Sequence, residues 1–176
     1  FVMGGTGRLV TGLAELIEGQ GGEIRCNEEV KSIDVSNGVA RGVRLASGEY
    51  IAADIVVSNV DSAWMYKNLL PAEVRKRWTD RKLARASYSM GLFVWYFGTK
   101  RQYPDVSHHT IMMGPRYREL LKDIFERKKL AEDFSLYLHR PTATDPSLAP
   151  EGCDAFYVLS PVPNLAGGQD WSKLAE

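Results

Sequence analysis

The chain contains three histidines, His108, His109 and His139, and an imidazole can bind a metal ion or carry a proton. Two of them are adjacent in a segment with strand character, where neighbouring side chains point to opposite faces. Neither a His-x-x-x-His spacing nor a carboxylate-rich neighbour completes a ligand set. The sequence therefore predicts no metal site.

Cysteine and serine chemistry finds equally little support. Cys26 and Cys153 are the two cysteines, which are too few for a disulfide framework, and neither is flanked by an activating base. Reduced thiols are expected, as in proteins inside a cell. A serine, histidine and aspartate set cannot be assembled either, so the sequence identifies no catalytic residue.

A glycine cluster, Gly4-Gly5-Thr6-Gly7, stands close to the start of the chain. Glycine-rich turns before helices can hold a dinucleotide phosphate, but this cluster lacks the complete G-x-G-x-x-G order and no full strand precedes it. A tight turn into a helix, with Thr6 as the N-cap, explains the cluster better. We therefore interpret it as a helix start rather than as a cofactor loop.

The composition is that of an ordinary globular protein. The 176 residues include 22 basic and 22 acidic side chains, and 44% are hydrophobic. Neutral net charge gives no reason to expect a nucleic-acid partner. Neither an apolar run of about 18 residues nor a signal peptide is visible. The chain begins at Phe1 and ends in what resembles the first turns of a helix from Asp170, so we expect a fragment of a longer protein.

The first third of the chain predicts a helix, a meander and a returning strand. Leu9, Leu13 and Leu16 share one face of a buried helix of about 14 residues that begins near Thr6. Turn signals at Asn37-Gly38 and at Ser47-Gly48 separate the hairpin strands that follow. The predicted strands are Glu23–Cys26, Val30–Val35, Val39–Leu45, Glu49–Ala53 and the apolar Asp54–Val57, which we expect to be buried in a parallel sheet.

Ser58 and Asn59 follow the apolar strand, and ligands often bind beyond the carboxyl end of a strand in open α/β sheets. Asp61 is expected to cap a helix over residues 62–70. A second helical piece starts at Pro71, and six basic residues lie between positions 73 and 85. This basic run is either a solvated helix face or a surface for anionic lipid headgroups.

The stretch Tyr88–Phe97 is apolar on both of its faces. This pattern is typical of a central strand covered on both sides, and also of a strand that lines a cavity for an apolar ligand. Further strands are predicted at 108–113, 134–139 and 155–160, and Pro161 is expected to end the last one. A helix with an apolar packing face, which includes Tyr117 and Phe125, should follow Gly114-Pro115.

Several residue strings resemble known proteins over essentially the whole chain. The strings Phe1–Leu9, Gly21–Ile24, Asn27–Val30 and Asp54–Asp61 resemble flavin-dependent amine oxidases. More specific strings resemble the bacterial phytoene desaturases of that superfamily: His108-His109-Thr110, Gly114–Leu120, Leu130–His139 and Ser147–Cys153.

The resemblance implies an FAD enzyme that desaturates a long isoprenoid, converting phytoene to more conjugated carotenes. Val30 matches the position whose backbone meets the FAD adenine, and Ser58 and Asn59 lie where the chain leaves the cofactor domain. The phosphate loop, the acidic ribose partner and the segment that closes over the flavin are not in this chain. We therefore expect the fragment alone to bind FAD weakly and to be inactive.

The fold class expected from the resemblance is mixed α/β. Residues 1–61 would be the end of a Rossmann-like, doubly wound FAD-binding domain with an antiparallel meander, and residues 62–176 part of a mixed-sheet substrate domain with helices. The implied location is the bacterial cytoplasm, with peripheral membrane contact. Two alternatives remain open: a carotenoid isomerase-like or ketolase-like oxidoreductase, and a non-enzymatic isoprenoid-binding protein like the GDP-dissociation inhibitors.

Overall fold

A computed structural model describes residues 1–174 of the chain. It divides into two compact units. One contains Phe1–Gln20 together with the chain from Tyr88 onward, and the other is Gly21–Ser87. The assignment of residues 1–61 to a cofactor domain and of 62–176 to a substrate domain stays a prediction. The predicted helix from Asp170 forms as α5 (Trp171–Leu174), whereas Ala175 and Glu176 lie outside the described residues.

Helix α1 (Thr6–Gly19) has the predicted length of 14 residues. Gly5, with a φ of 77°, takes the cap position, so Thr6 is the first helical residue and not the predicted N-cap. Positive φ favours glycine there, which explains the sequence of the turn. The expected burial is wrong: Leu9, Leu13 and Leu16 are about half exposed, at 48%, 52% and 55%. The apolar stripe of α1 is therefore a surface feature of this chain.

The unit Gly21–Ser87 is built on the predicted meander. Strands β1 (Val30–Ser36), β2 (Val39–Leu45) and β3 (Tyr50–Ala52) form an antiparallel sheet in that order. Asn37 and Gly38 both have positive φ, as a two-residue hairpin turn requires. Ile33 and Leu45 are buried, and the Ile33 N–H donates a 2.8 Å hydrogen bond to the Leu69 carbonyl.

Two predicted strands of this unit do not form. Glu23–Cys26 and Asp54–Val57 are irregular, and Ile55 and Val57 are 80% and 90% exposed. No described strand lies beside either segment, and a strand needs a partner for its N–H and C=O groups. The rest of the unit is helical: α2 (Ser62–Asn68), a 3₁₀ turn (Ala72–Val74) and α3 (Asp80–Ala84).

The larger unit contains a four-stranded antiparallel sheet with the order β4-β7-β6-β5. Its strands are β4 (Gly91–Thr99), β5 (His109–Met112), β6 (Leu136–His139) and β7 (Asp154–Val162). The interpretation of Tyr88–Phe97 as a central, covered strand is wrong, because β4 lies at the sheet edge and Trp95 and Tyr96 are 62% and 72% exposed. This exposure leaves the alternative that the strand lines an apolar ligand site.

Strand β7 also runs past the point at which it was predicted to end. Pro161 lies opposite Leu92 in the ladder with β4. Strand β6 pairs with β7 only as far as Leu159, so a single neighbour accompanies the strand at Pro161. The missing N–H of proline is tolerated where one side of a strand is open.

Helix α4 (Tyr117–Lys122) follows Gly114-Pro115, and its last turn passes into a π-helix at Asp123–Arg127. Leu120 and Ile124 are buried with Ala131 and form the apolar cluster of this region. Phe125, predicted on the same face, is 51% exposed. A π-helix has more residues per turn, which moves Phe125 off the α-helical stripe. Three short 3₁₀ turns complete the unit: Pro141–Ala143, Pro146–Leu148 and Leu165–Gly167.

Within residues 1–174, the helices are too short or too polar for any of them to traverse a lipid bilayer.

Candidate functional site

One face of the four-stranded sheet carries a row of ring side chains, one from each strand. Tyr96 of β4 is opposite Tyr157 of β7, Tyr157 is opposite His139 of β6, and His139 is opposite His109 of β5. Directly paired residues of antiparallel strands share a face and lie close together. The ladder register thus aligns four rings across the full width of the sheet.

The rings contact one another along this row. The centroids of Tyr96 and Tyr157 are 5.5 Å apart, Tyr157 stacks on His139 at 4.5 Å, and His139 lies 5.2 Å from His109. His108 extends the row by stacking on His109 at 4.3 Å. We call these five residues, together with Tyr137, the ring row.

The three histidines come together at one end of the ring row. Each offers a ring nitrogen, and these nitrogens lie within 4.8 Å of one another. The expectation that His108 and His109 point to opposite faces is wrong, because β5 begins only at His109 and strand alternation does not extend to His108. The His108 carbonyl accepts a 2.9 Å hydrogen bond from the Arg140 N–H. The ring Nδ1 of His108 contacts the Thr144 hydroxyl.

Tyr137 links two of these imidazoles. Its hydroxyl oxygen is 2.5 Å from Nδ1 of His109 and 3.1 Å from Nδ1 of His139, and the two nitrogens are 3.4 Å apart. Tyr137 precedes His139 by two residues on β6, so both side chains lie on the same face. A hydroxyl can donate one hydrogen bond and accept others, so Tyr137 can bond to both rings at once, with the tautomer of each ring deciding which partner donates.

The environment disfavours the charged forms of His108 and His139. Burial lowers the pKa of His108 below its ordinary value, and repulsion by His109 lowers it further. Burial also lowers the pKa of His139, and His108 and His109 add to the effect. Burial raises the pKa of Tyr157, with a contribution from Tyr137. At neutral pH His108 and His139 are therefore uncharged, and a neutral imidazole has one ring nitrogen that can accept a proton or bind a cation.

A buried ionic network holds the end of β6 that carries His139. Arg140 follows directly, and its Nε donates a 2.8 Å hydrogen bond to Asp154, whose side chain is fully buried. Thr142 donates from its hydroxyl at 2.6 Å and Tyr103 from its backbone N–H at 2.7 Å to the same carboxylate. The sequence spacing did not predict that these residues meet, because Tyr103 comes from the loop after β4, Arg140 and Thr142 from the segment after β6, and Asp154 from the start of β7.

The opposite face of the sheet is apolar. Phe93, Trp95 and Val158 belong to it, and they line a cavity of about 250 Å³. Its other walls are Leu130, Phe134, Leu136, Ser160, Val162, Trp171 and Leu174. Lining of this kind suits an apolar ligand. We call this surface the apolar face.

The residues predicted to bind the cofactor lie in the unit Gly21–Ser87. Val30 is the half-buried first residue of β1 and pairs with Leu45. Ser58 and Asn59 are exposed in the irregular segment between β3 and α2. Asp61 caps α2 as predicted, since its carboxylate accepts a 2.8 Å hydrogen bond from the Trp64 N–H. Cofactor contact by Val30, Ser58 and Asn59 stays a prediction.

The glycine turn before α1 is already occupied by a carboxylate. The Gly4 N–H donates a 2.6 Å hydrogen bond to Oδ2 of Asp145. Hydrogen bonds from Ser147 and then from Gly4 hold the pKa of Asp145 below its ordinary value, so this side chain is an anion at neutral pH. An anion at this point repels a phosphate, which agrees with the interpretation of the cluster as a helix start.

Comparison with known proteins identifies the family and several relatives of the chain. Residues 1–153 match the family model described as flavin containing amine oxidoreductase. The chain is 53% identical over its whole length to the neurosporene-forming phytoene desaturase of Cereibacter sphaeroides, of which it covers 35%. It is 47% identical to the lycopene-forming phytoene desaturase of Pseudescherichia vulneris, with 98% of the chain and 35% of that protein covered. The predicted resemblance to bacterial phytoene desaturases is confirmed.

A solved structure supports the fold. An oxidoreductase from Methanosarcina mazei superposes with a TM-score of 0.70 at 20% identity, covering 98% of this chain and 37% of that one. Together with the helices and antiparallel sheets described above, this confirms the mixed α/β class. The chain spans about a third of the length of the curated relatives that it matches. It belongs to the family of flavin containing amine oxidoreductases, which implies a flavin cofactor.

Proposed function

We propose that the chain is the central part of an FAD-dependent desaturase that acts on a long isoprenoid hydrocarbon and converts phytoene to more conjugated carotenes. The relatives named above are phytoene desaturases and align with nearly all of the chain. Their names favour a desaturase over an isomerase-like or ketolase-like oxidoreductase and over a carrier like the GDP-dissociation inhibitors.

The observation that carries the proposal is the apolar face. Phe93 and Trp95 remain 40% and 62% exposed although they are among the largest apolar side chains of the sheet. A large contiguous apolar patch on a protein surface is typical of an interaction site or a ligand-binding groove. A hydrocarbon chain gains free energy from such a surface through the removal of apolar area from water.

The flavin is proposed to be FAD, and Val30, Ser58 and Asn59 are proposed to contact it. The exposed side chains of Ser58 and Asn59 can supply polar contacts, whereas the Gly4 N–H is taken by Asp145 and does not fit a diphosphate. When bound, the flavin supplies the redox chemistry by accepting hydride. The protein then has to hold the hydrocarbon, orient it and exclude water, for which the apolar face is suited.

Peripheral membrane contact in the bacterial cytoplasm is part of the proposal. Trp78 is close to two cations, with the Lys82 ammonium 4.6 Å and the Arg77 guanidinium 5.6 Å from its ring. Indole and basic groups together are typical of surfaces that meet lipid headgroups. Arg75 does not take part, because it is 8% exposed and its guanidinium pairs with Asp80 at 2.6 Å.

The test is reconstitution of the full-length protein containing this chain with FAD and phytoene in liposomes. We expect flavin absorbance to co-elute with the protein in gel filtration and coloured polyenes to form. Saturated binding of flavin without any polyene would reject the substrate class. A protein that retains no flavin would reject the cofactor.

A further inference from the structure

We propose that His108, His109 and His139 form a binding site for a transition-metal ion of the Zn²⁺ class. The site is separate from the apolar face, since His109 and His139 lie on the other side of the sheet. It contradicts the prediction that the chain has no metal site, and it rests on the positions of the ring nitrogens. Imidazole is a preferred ligand of zinc, copper and nickel.

The distances suit a tetrahedral ion. Zinc binds histidine nitrogen at about 2.0–2.1 Å, so two ligands of a tetrahedral site lie about 3.3 Å apart. Nδ1 of His109 and Nδ1 of His139 are separated by 3.4 Å. All three histidines place a ring nitrogen within 4.8 Å of the others, so small side-chain rotations complete a three-histidine set.

An unpartnered atom points to the same conclusion. Nε2 of His108 is fully buried, and among residues 1–174 it has no hydrogen-bond partner. A buried polar atom without a partner costs free energy, and a bound ion is one of the few groups that would satisfy it. The Nδ1 atom of the same ring contacts the Thr144 hydroxyl, which leaves Nε2 as the free ligand.

The cluster is also accessible from solvent on the side of His109. His109 is exposed, so an ion can reach the site from solvent. The neighbouring cation Arg140 is engaged by Asp154 and by the Val106 carbonyl. In the absence of metal, the Tyr137 hydroxyl bridges His109 and His139, and a bound cation takes its place as the bridge.

The experiment measures binding of Zn²⁺ and Co²⁺ to the purified full-length protein after chelator treatment. We expect one saturable site, a visible Co²⁺ spectrum of four-coordinate type, and a rise of the thermal midpoint by about 2–3 °C at a hundredfold excess of Zn²⁺ over its Kd. These three histidines are the only ones in the chain, so within it another ligand set would consist of carboxylates and the thiols of Cys26 and Cys153.

Two variants and one control decide the outcome. His109→Ala changes an exposed side chain, so we expect it to fold normally and to lose saturable binding. His108→Ala should do the same, with no loss of thermal midpoint in the absence of metal. The double variant Cys26→Ser/Cys153→Ser should keep the site. Absence of a saturable site, its survival in His109→Ala, or its loss in the cysteine variant would each overturn the proposal.

Discussion

The backbone N–H of Gly4 donates a 2.6 Å hydrogen bond to Asp145, which lies 141 positions further along the chain. The Asp145 carboxylate also accepts hydrogen bonds from the N–H of Ser147 at 3.1 Å and from its hydroxyl at 2.6 Å. One buried carboxylate therefore joins the turn before α1 to the 3₁₀ turn Pro146–Leu148. Helix α1 itself has no buried residue, so we expect this connection to help hold it in place.

Replacing the carboxylate should loosen that connection. We expect Asp145→Ala to lower the midpoint of thermal unfolding by about 5 °C, because three charge-assisted hydrogen bonds are lost. Circular dichroism against temperature is the measurement. Asp105→Ala, a change of an exposed aspartate in the same unit, is the matched control and should leave the midpoint unchanged. Equal midpoints for both variants would show that the Gly4 contact does not stabilise the fold.

Removal of Asp154 should have a larger effect. The change Asp154→Ala leaves the Arg140 guanidinium buried without its partner, which costs about 3–5 kcal/mol in the free energy of unfolding. Urea titration is the measurement, and Asp105→Ala again serves as the control. A loss below about 1 kcal/mol would mean that the network relaxes and hydrates Arg140.

The lowered pKa of Asp154 predicts that the free energy of unfolding decreases in acid. Burial acts to raise the pKa of Asp154, but hydrogen bonds from Thr142, Tyr103 and Arg140 outweigh it and hold the pKa below its ordinary value. Because the folded pKa is the lower one, this stabilisation is complete above about pH 4 and is lost as pH falls through the folded-state value. Urea titrations at a series of pH values should show a shallower decline for Asp154→Asn than for the unchanged protein. Parallel curves would contradict this assignment.

A charge on the apolar face should impair substrate binding. Trp95→Arg is expected to raise the KM for phytoene at least about tenfold, because a guanidinium must be desolvated against a hydrocarbon. The thermal midpoint should change little, since Trp95 is 62% exposed. Trp64→Arg, at an exposed tryptophan of the other unit, is the control. Unchanged KM in both variants would place the substrate elsewhere.

Membrane contact can be tested by charge reversal. Arg77→Glu/Arg81→Glu should weaken binding to anionic liposomes at least about 30-fold, because the loss of the two positive charges alone is worth about 1 kcal/mol each and the new negative charges add repulsion. Both residues are exposed, unlike Arg75. The control Lys31→Glu/Arg41→Glu reverses two exposed charges on the meander of the same unit. Equal weakening by both pairs would indicate nonspecific attraction, and no change would indicate a solvated helix.

The proposed flavin contacts can be tested with variants that should not change the stability of the fold. Ser58→Ala/Asn59→Ala alters two exposed side chains, so we expect normal folding and weaker FAD binding, by about tenfold. Fluorescence titration of the apoprotein with FAD is the measurement. Ser62→Ala, four residues further on at the start of α2, is the control. Unchanged FAD affinity would remove Ser58 and Asn59 from the cofactor site.

Local patterns predicted the elements whose hydrogen bonds close within a short stretch. Asn37-Gly38 identified the hairpin of β1 and β2, and Asp61 identified the start of α2. The prediction of a strand at Asp54–Val57 was wrong because a strand needs a hydrogen-bonded partner, and an apolar pattern does not show whether a partner is present. The edge position of β4 was missed for the same reason, since a strand apolar on both faces gives no information about its place in the sheet.

The site was less predictable than the fold. His109 and His139 are 30 residues apart in sequence and meet only through the register of β5 and β6, which places them opposite each other. Adjacent histidines were expected on opposite faces, and the strand boundary at His109 removes the basis of that rule. The Asp154 network likewise depends on loop geometry. Register and loop paths are long-range properties that spacing does not encode.

Strand β7 shares more residue pairs with β4 than with β6, so the line between β6 and β7 is the weaker junction of the sheet. Strand β4 follows β7 through nine consecutive residue pairs, whereas β6 follows it through three, from Tyr137 to His139. Local opening starts where few hydrogen bonds have to break together, so amides of β5 and β6 should exchange with solvent before those of β4 and β7. The ring row crosses this line between Tyr157 and His139. We therefore expect the pair of strands that carries His109 and His139 to open before the pair that carries Trp95, with the bond between Arg140 and Asp154 as the contact that has to break first.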